Sequence, residues 1–354
     1  MTNSLPLRLN FKAFDKAWVL NYAYSLLRES HSLTPWKKEI LYFLIDWLTG
    51  KDEIKTTTSG STGIPKTITL KKKYIKNSAK TTIDFFRLQE GNNIFLSLPV
   101  KYIAGKLMII RALEGKMNLY AVEPSLTPVL EDVSIDFAAM TPSQVAALLE
   151  TEKGKNFLKK IKTLIIGGDK ITAALEEKLQ SLQTNIWHTY GMTETITHIA
   201  LRKVNGKNRS KYFTPLPGVS LSLSSDQRLI IDAPHIGVRF LMTNDMAELN
   251  DDNTFAIKGR KDNVVISGGI KLFPEEIEKK IEKVIPYPFY FTGITDEKLG
   301  NKLVMIIESK QPLNTGNIFN KIKPLLSKYE LPKEIIVKQS FEKTVSGKLK
   351  RFGL

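Results

Sequence analysis

The chain has 354 residues, a formal net charge of +16 and no cysteine. This length allows a substantial core and favours two domains over one. The lack of cysteine excludes a disulfide framework, a thiolate metal site and a cysteine nucleophile. No apolar run reaches the about 18 residues of a membrane-spanning helix, and the first residues lack the order of a signal peptide. We therefore expect a cytoplasmic protein with no integral membrane segment.

The positive charge is compatible with nucleic acid, an anionic membrane or anionic small molecules as partners. The lysines are dispersed along the chain, apart from short clusters in LKKKYIK and near the C-terminus. They do not interleave with aromatic residues as in a nucleic-acid-binding module. We expect a lysine-rich surface and no nucleic-acid partner, and a polyphosphate ligand would account for part of the charge.

Helices and short apolar strands alternate through the first two thirds of the chain. Helical periodicity fills residues 14–50, where Thr34–Pro35 begins the second of two helices and Gly50 ends it. The next predicted helices are YIKNSAKTTIDFFRL, KLMIIRALEG, SQVAALLETE and ITAALEEKLQSLQ, and the predicted strands are NIFLSLPV, MNLYAVE, IDFAAM, IKTLIIGG and NIWHTYG. This alternation predicts an α/β fold with a mostly parallel sheet covered by helices.

Ligands of such sheets bind beyond the carboxyl ends of the strands. Three turns fall at those ends, at residues 99–105, 167–169 and 190–194. The pattern changes after residue 212, where two hairpins predict a small antiparallel sheet or barrel over about 212–260. A new α+β unit follows. We place the boundary at Lys261–Asp262, which gives domains 1–261 and 262–354.

The stretch TTTSGSTGIPKTITL has the composition of a phosphate-binding loop. It is not a Walker A loop, because Pro65 stands where that motif requires glycine. Its hydroxyls, its glycines and Lys66 still offer the donors and the charge that phosphates need. A polar surface turn closed by proline is the alternative.

Five motifs occur in a fixed order from residue 56 to the end of the chain: TSGSTGIPKT, YGMTET, TNDMAEL, GRKDNVVISGGIKLFPEEIE and KTVSGKLKR. The series resembles the adenylate-forming superfamily of acyl-CoA synthetases, luciferases and peptide-synthetase adenylation domains. The resemblance implies a ligase that joins a carboxylic acid to ATP, releases pyrophosphate, and passes the acyl group to a thiol, often coenzyme A.

The resemblance also implies roles for individual residues. In the phosphate loop the matching residues are Thr58, Ser59, Ser61, Thr62 and Lys66. The adenine side would be formed by Gly167, Gly168, Asp169, Tyr190 and Gly191, with Thr193 on the α-phosphate and Glu194 on Mg²⁺. Asp245 would bind the ribose hydroxyls and Arg260 the ribose or phosphate; Asn244 departs from the glycine usual before this aspartate.

Lys348 matches the catalytic lysine of the superfamily, which stabilises the negative charge that develops when a carboxylate attacks the α-phosphate. Asp262 matches the hinge about which the small domain swings. That motion would replace the lysine by Gly268 and Gly269, which would line the tunnel for coenzyme A. Without this context, Lys348 is one more lysine of a basic tail.

The chain is short for the superfamily, with the first subdomain reduced to two helices. Its segments LPVKYIAGKLMIIRAL, AVEPSLTP and DFAAMTPSQV resemble the compact o-succinylbenzoate–CoA ligases of menaquinone biosynthesis. That acid has a second carboxylate, which needs a cation. The candidates are Lys101, Lys106 and Arg111, beside Tyr102 and Gly105. A histidine common near Lys101 in the superfamily is absent.

Other interpretations of the sequence stay open. The nearest is an enzyme for a different acyl or aryl acid, followed by an adenylation enzyme that loads a carrier protein. A nucleotide-binding sensor without catalysis is the non-enzymatic alternative, which the presence of Glu194 and Lys348 disfavours. We expect a monomer or a homodimer.

Overall fold

The computed structural model of the chain describes residues 5–12, 15–29, 33–57, 67–342, 349 and 351. The helices are α1 Lys16–Glu29, α2 Pro35–Thr49, α3 Lys72–Phe86, α4 Ile103–Glu114, α5 Pro142–Leu149, α6 Glu152–Lys159, α7 Ala173–Leu179, α8 Pro274–Ile281 and α9 Thr315–Ile322. The strands are β1 Leu7–Asn10, β2 Glu53–Thr57, β3 Thr67–Lys71, β4 Asn93–Leu96, β5 Asn118–Ala121, β6 Ile135–Met140, β7 Ile161–Ile166, β8 Asn185–Gly191, β9 His198–Lys203, β10 Thr214–Pro215, β11 Ser220–Leu223, β12 Arg228–Ala233, β13 Val238–Leu249, β14 Phe255–Arg260, β15 Val265–Ser267, β16 Ile270–Leu272, β17 Phe289–Asp296, β18 Gly300–Glu308 and β19 Glu334–Lys338.

The main sheet has the strand order β1-β5-β4-β6-β7-β8-β9-β10. Its five central strands, from β5 to β8, are parallel, whereas β1, β9 and β10 join the edges in antiparallel pairs. The prediction of an α/β fold with a mostly parallel sheet is confirmed. The short edge strand β1 was not predicted, because four residues carry too little pattern.

Helices cover both faces of this sheet. Side chains alternate along β4, so that Ile94 and Leu96 join one core cluster and Phe95 joins the other. The first cluster contains α2, α3 and α4, and the second contains α5, α6 and α7. A sheet that is buried on both faces explains why its strands are almost continuously apolar.

Two smaller sheets complete the fold. Strands β11 to β14 form an antiparallel sheet in sequence order, as the hairpin patterns predicted. Beyond residue 261, strands β15 to β19 and helices α8 and α9 enclose a separate core cluster. This cluster shares no residue with the clusters of the main sheet among the described residues.

The predicted phosphate loop is carried by a separate hairpin of β2 and β3. Lys72, the first residue after this hairpin, is buried beside the end of α2. Its Nζ donates to the carbonyl oxygens of Asp46, Trp47 and Gly50 at 3.0, 2.9 and 3.1 Å. The Asp46 carbonyl oxygen also accepts from the Gly50 N–H at 2.8 Å. Trp47 and Gly50 lie at the end of the helix, where carbonyl groups lack intrahelical donors, so the lysine closes the end of α2 and fixes the base of the hairpin.

Helix α8 rests against the segment that leads into α7, which we call the α7–α8 contact. Glu282 Oε1 accepts from the backbone N–H of Ala173 at 2.8 Å. Lys170 Nζ lies 3.5 Å from Glu278 Oε2. This contact is therefore polar and lies next to the predicted adenine-side turn at 167–169.

Candidate active site

The three predicted ligand-binding turns follow strands that run in the same direction. Strands β4, β7 and β8 belong to the parallel part of the main sheet. The turns at 99–105, 167–169 and 190–194 therefore lie along one edge of the sheet. The fold brings them together although they are far apart in sequence.

The glycine pair after β7 lies directly against the next strand. Ile166 pairs with His188, so Gly167 stands alongside Thr189. A Cβ atom on Gly167 would lie 2.1 Å from Thr189 Oγ1. Gly168 has a φ of +88°, in the left-handed region that glycine adopts without a steric penalty. Gly168 is thus required by the turn itself, and Gly167 by the side chain of the neighbouring strand.

The turn at 167–169 is fixed by His188, a residue that sequence reasoning missed. His188 Nε2 lies 3.1 Å from the Asp169 carbonyl oxygen, and its Nδ1 lies 3.4 Å from Arg202 Nη2. Arg202 makes a bidentate pair with Glu176 at 3.0 and 2.8 Å. Burial, together with the positive charge of Arg202, lowers the pKa of His188 to about 4. A neutral ring thus donates to Asp169 and accepts from Arg202.

Tyr190, Asp245 and Arg260 form one hydrogen-bonded cluster. The Tyr190 hydroxyl donates to Asp245 Oδ2 at 2.7 Å, and Arg260 Nη1 donates to Asp245 Oδ1 at 3.1 Å. Asp245 and Arg260 face each other across β13 and β14. Burial and the nearby Asp245 charge raise the pKa of Tyr190 well above its ordinary value. Each carboxylate oxygen keeps a second lone pair for a ligand.

The predicted hinge residue is tied to the same cluster. Asp262 Oδ2 accepts from Asn244 Nδ2 at 3.2 Å and lies 3.5 Å from Arg260 Nη2. Asn244 is the position at which this chain departs from the glycine usual in the superfamily. The departure therefore adds a hydrogen bond between β13 and the predicted hinge.

The turn after β8 contains a strained residue. Thr193, Glu194 and Thr195 form one turn of 3₁₀ helix, with Glu194 exposed. Ile196 follows with φ 65° and ψ −57°, and the Thr197 N–H donates to the Thr195 carbonyl oxygen at 2.7 Å. This geometry is a γ-turn with positive φ, the rarer and strained form, here in a β-branched residue. The strain lies directly after the predicted catalytic pair.

Two other glycines allow close approach of backbone segments. A Cβ atom on Gly105 would lie 2.5 Å from the Pro99 carbonyl oxygen. One on Gly191 would lie 2.2 Å from the Thr197 carbonyl oxygen. Both glycines were predicted from the resemblance as site residues. Each allows its own loop to lie close to a neighbouring backbone segment.

The three cations predicted for the acid differ in their surroundings. Lys101 is exposed, and its Nζ lies 5.0 Å from the ring centroid of Tyr102. Lys106 Nζ donates to the Val100 carbonyl oxygen at 2.5 Å and lies 5.4 Å from the ring centroid of Phe43. Both lysines have partners on the protein, and Lys106 points toward α2.

Arg111 is the third cation, and it is buried without a carboxylate partner among the described residues. Its side chain is 1% exposed. Nη2 lies 3.5 Å from Thr197 Oγ1, Nη1 lies 3.5 Å from Met108 Sδ, and Nε has no partner. Burial lowers the pKa of Arg111 to about 9. A guanidinium buried without a carboxylate partner is costly, so Arg111 stays a candidate for binding the acid.

The Gly268–Gly269 turn connects β15 and β16 as a two-residue hairpin. Both residues have positive φ, 57° and 80°, which two-residue hairpins of this type require. Gly268 N–H donates to the Leu299 carbonyl oxygen at 2.9 Å, and Lys271 Nζ lies 3.3 Å from the Asp226 carbonyl oxygen. No hydrogen bond among the described residues joins this turn to the Tyr190–Asp245–Arg260 cluster.

Several predicted site residues lie outside the described residues, and their roles stay predictions. They are Thr58, Ser59, Ser61, Thr62, Lys66 and Lys348.

The chain is similar to known proteins in sequence and in structure. The family model of the AMP-binding enzyme matches residues 56–232, which is half of the chain. An acyl-CoA synthetase (AMP-forming)/AMP-acid ligase II-like protein from Dyadobacter fermentans has 30% identical residues and a TM-score of 0.65, with 98% of each chain covered. The chain belongs to the AMP-binding enzyme family. The resemblance drawn from the five motifs is confirmed.

Two more distant relatives of this AMP-binding enzyme carry a specific name. The 2-succinylbenzoate–CoA ligase of Listeria monocytogenes is 23% identical over 321 residues, which cover 83% of this chain and 68% of that protein. The o-succinylbenzoate coenzyme A synthetase of Bacillus subtilis, solved with ATP and a magnesium ion, is 18% identical. It has a TM-score of 0.71 over 96% of this chain and 82% of that one, and therefore shares the fold.

Among the residues that the structure describes, no helix is both long enough and apolar enough to cross a bilayer.

Proposed function

We propose that this AMP-binding enzyme joins o-succinylbenzoate to coenzyme A in two steps, through an acyl-adenylate formed from ATP. The observation that carries the proposal is the buried, carboxylate-free guanidinium of Arg111 beside the turn of Thr193 and Glu194. The names of the Listeria and Bacillus relatives support the same acid.

The nucleotide would bind at the Tyr190–Asp245–Arg260 cluster at the edge of the sheet. Tyr190 presents an aromatic ring that packs edge-on against Phe255, with 5.3 Å between the ring centroids, and adenine would stack on Tyr190. Asp245 would accept from the ribose hydroxyls with the lone pairs that Tyr190 and Arg260 leave free. The glycine turn at 167–169 would flank the base.

Glu194 would hold Mg²⁺ together with oxygen atoms of the ATP phosphates. No cation among the described residues pairs with its exposed carboxylate, so both oxygens are open to a metal. Mg²⁺ in nucleotide sites usually binds one or two carboxylates plus phosphates and waters, which fits this single acidic side chain. The ion would neutralise phosphate charge during adenylation.

Arg111 would bind the carboxylate of the acid that is not activated. A guanidinium forms short, charge-assisted hydrogen bonds with a carboxylate, and its unpaired Nε is a ready donor. Thr197, which contacts Arg111, lies four residues after Thr193, so the two ends of the acid would lie on one short segment. Lys101 and Lys106 are less suited because each already has a partner on the protein.

The second step requires movement of the part of the chain after Lys261. We propose that domains 1–261 and 262–354 rotate about Asp262, which would bring Lys348 and then the Gly268–Gly269 turn to the acid. Coenzyme A would enter along that turn.

The test measures pyrophosphate release from ATP and Mg²⁺ with a panel of acids, followed by thioester formation with coenzyme A. We expect release with o-succinylbenzoate and much less with benzoylpropionate, which lacks the ring carboxylate, or with o-butyrylbenzoate, which lacks the chain carboxylate. Arg111→Met should lower kcat/KM for o-succinylbenzoate by about one to two orders of magnitude, the value of one charged hydrogen bond. Lys116→Gln, at an exposed lysine just after the same helix, is the control.

The same variant separates a functional from a structural role of Arg111. Replacing a buried, unpaired charge by an apolar side chain of similar length should leave the free energy of unfolding unchanged or raise it. A folded Arg111→Met enzyme with normal kcat/KM for o-succinylbenzoate would contradict the proposal. Release with another acid would keep the two-step reaction and discard this substrate.

A further inference from the structure

We propose that His198 is a positioning residue that holds Arg111, through Thr197, in the orientation that receives the second carboxylate of the acid. This inference rests on the proposed function and deepens it. Neither His198 nor Thr197 belongs to the motifs that identify the family. Sequence reasoning missed both, because a histidine at the start of an apolar strand resembles an ordinary core residue.

Four side chains form a continuous line from the guanidinium to helix α3. Arg111 Nη2 lies 3.5 Å from Thr197 Oγ1, and Thr197 Oγ1 lies 3.4 Å from His198 Nδ1. His198 Nε2 lies 3.3 Å from Thr82 Oγ1, which in turn lies 3.2 Å from the Ser78 carbonyl oxygen. His198 is 7% exposed and Thr82 is 0% exposed. Water therefore does not compete for the contact between His198 and Thr82, whereas Thr197 is half-buried.

The direction of each hydrogen bond follows from its fixed ends. The Ser78 carbonyl only accepts, so the Thr82 hydroxyl donates to it and accepts from His198 Nε2–H. His198 Nδ1 is then an acceptor and takes the Thr197 hydroxyl proton. Thr197 Oγ1 is left to accept from Arg111. Every donor in the line has an acceptor, and only one arrangement satisfies all four groups.

The electrostatics agree with this arrangement. Burial and the positive charge of Arg111 hold the pKa of His198 well below its ordinary value, so the ring is neutral. A neutral imidazole has one donor and one acceptor nitrogen, as the line requires. A charged ring would donate from both nitrogens, and the Thr197 hydroxyl proton would lose its acceptor at Nδ1.

The backbone of Thr197 is fixed as firmly as its side chain. Its N–H closes the strained γ-turn at Ile196, and its carbonyl oxygen accepts from Thr195 Oγ1 at 2.7 Å. The same carbonyl oxygen stands where Gly191 would carry a Cβ atom. Because the backbone N–H and the carbonyl oxygen of Thr197 are both hydrogen-bonded, its hydroxyl is preorganised. Arg111 therefore keeps one orientation before the substrate binds.

The result of this arrangement is a guanidinium whose two Nη nitrogens each have a partner at 3.5 Å, Thr197 Oγ1 and Met108 Sδ, and whose Nε is free. Nη2 is directed at Thr197, and Nε is buried without a partner. If the line were broken, the guanidinium could turn its donors to other acceptors. Part of the free energy of binding the carboxylate would then be spent on reorienting Arg111. Selectivity for an acid with two carboxylates should therefore depend on His198 although His198 does not touch the acid.

Three substitutions of His198 separate the two ring nitrogens. His198→Asn places an amide oxygen near the position of Nδ1 and keeps the contact with Thr197. His198→Gln reaches the position of Nε2 and keeps only the contact with Thr82. His198→Leu has nearly the shape of asparagine and keeps neither. Thermal unfolding of each variant confirms that it is folded before kinetics are measured.

The readout is the ratio of kcat/KM for o-succinylbenzoate to kcat/KM for benzoylpropionate. We expect this ratio to fall about tenfold in His198→Leu and His198→Gln, and to stay within about threefold of wild type in His198→Asn. The loss should appear mainly in KM for o-succinylbenzoate, since the contact binds a group remote from the reacting carboxylate. In the double variant Thr197→Val/His198→Leu, the ratio should fall little further than in either single variant, because both substitutions interrupt the same line of hydrogen bonds.

Two results would overturn the inference. If His198→Leu keeps the wild-type ratio, the line does not position Arg111. If the ratio of the two kcat/KM values falls as far in His198→Asn as in His198→Leu, the ring has a packing role only. A wild-type enzyme that does not discriminate between the two acids would instead overturn the proposed function, and the inference with it.

Discussion

Buried polar side chains distinguish the candidate site more clearly than exposed ones. Arg111 has no acidic partner among the described residues, and the rings of His188 and His198 are enclosed by the protein. Each lies next to a turn at the carboxyl edge of the main sheet. Burial of such groups opposes folding, and groups with strongly shifted pKa values are enriched at functional sites of proteins.

His188 makes the stability of the fold depend on pH. Its pKa is lowered to about 4 in the folded chain, against an ordinary value of 6.5. The folded state therefore binds this proton less readily than the unfolded state. The stabilising contribution is complete above about pH 6.5 and is lost as the pH falls toward 4.

Between pH 7 and pH 4.5, we expect the free energy of unfolding to fall by about 2–3 kcal/mol more in wild type than in His188→Gln, because only wild type has the titrating ring at this position. Urea unfolding at the two pH values measures the difference. The glutamine amide still donates to the Asp169 carbonyl oxygen but does not titrate. Equal losses in the two proteins would show that His188 is not held neutral by the fold.

At the scale of single elements, the junction of β7 and β8 decides the position of the adenine-side turn. Gly167→Ala should place a methyl group against Thr189 Oγ1, at an unrelaxed distance of 2.1 Å. We expect a loss of about 1–3 kcal/mol in stability and a raised KM for ATP.

A second substitution tests whether contact with Thr189 is the cause. With Thr189→Ala, the nearest remaining atom of that residue is its Cβ, 3.5 Å away, which is an ordinary contact. The double variant should therefore recover most of the stability and the KM that Gly167→Ala loses, measured as a double-mutant cycle. Strictly additive losses would exclude this contact as the origin.

Helices and central strands followed from the sequence because their patterns are local. Residues 35–49 carry a proline start and a glycine stop, and the structure begins and ends α2 there. The predicted helix SQVAALLETE, by contrast, ends early at Leu149, and Thr151 caps a helix that was not predicted, α6, by accepting from Gly154 N–H. A capping side chain can start a helix within an otherwise continuous pattern.

The site was only partly predictable for a physical reason. Tyr190, Asp245 and Arg111 stood out by motif or by charge, and the structure places each in a distinct environment. The partners that fix them depend on contacts distant in sequence, such as Thr82 with His198. The γ-turn at Ile196 runs against the propensity of a β-branched residue, so no local rule could find it.

At the scale of the whole molecule, the α7–α8 contact joins the two parts of the chain beside the predicted adenine-side turn at 167–169. Glu282 accepts from the start of α7, and Lys283 lies 3.4 Å from Glu177 with both side chains exposed. A hydrogen bond between a charged group and a half-buried backbone N–H stabilises more than an exposed ion pair. Glu282 should therefore be the residue that holds α8 in place.

We expect Glu282→Ala to loosen the small part of the chain and to speed trypsin cleavage at Arg260 and Lys261 by about threefold or more. Lys283→Ala is the matched control and should cleave at the wild-type rate, because an exposed pair contributes about 0–1 kcal/mol. Limited proteolysis with a small-angle scattering measurement of each protein checks both statements. Equal rates in all three proteins would rule out a stabilising role of Glu282.

The lysine that closes α2 has a consequence for how short such an enzyme can become. Lys72 is buried and donates to three carbonyl oxygens of the segment that ends at Gly50. Removal of residues 16–50 would leave this cation without acceptors at the base of the hairpin that bears the predicted phosphate loop. Helix α2 and its last turn are thus not dispensable for this hairpin. They set a limit to how far the chain can be shortened, and we expect a chain without them to lose first the support of the hairpin that bears the predicted phosphate loop.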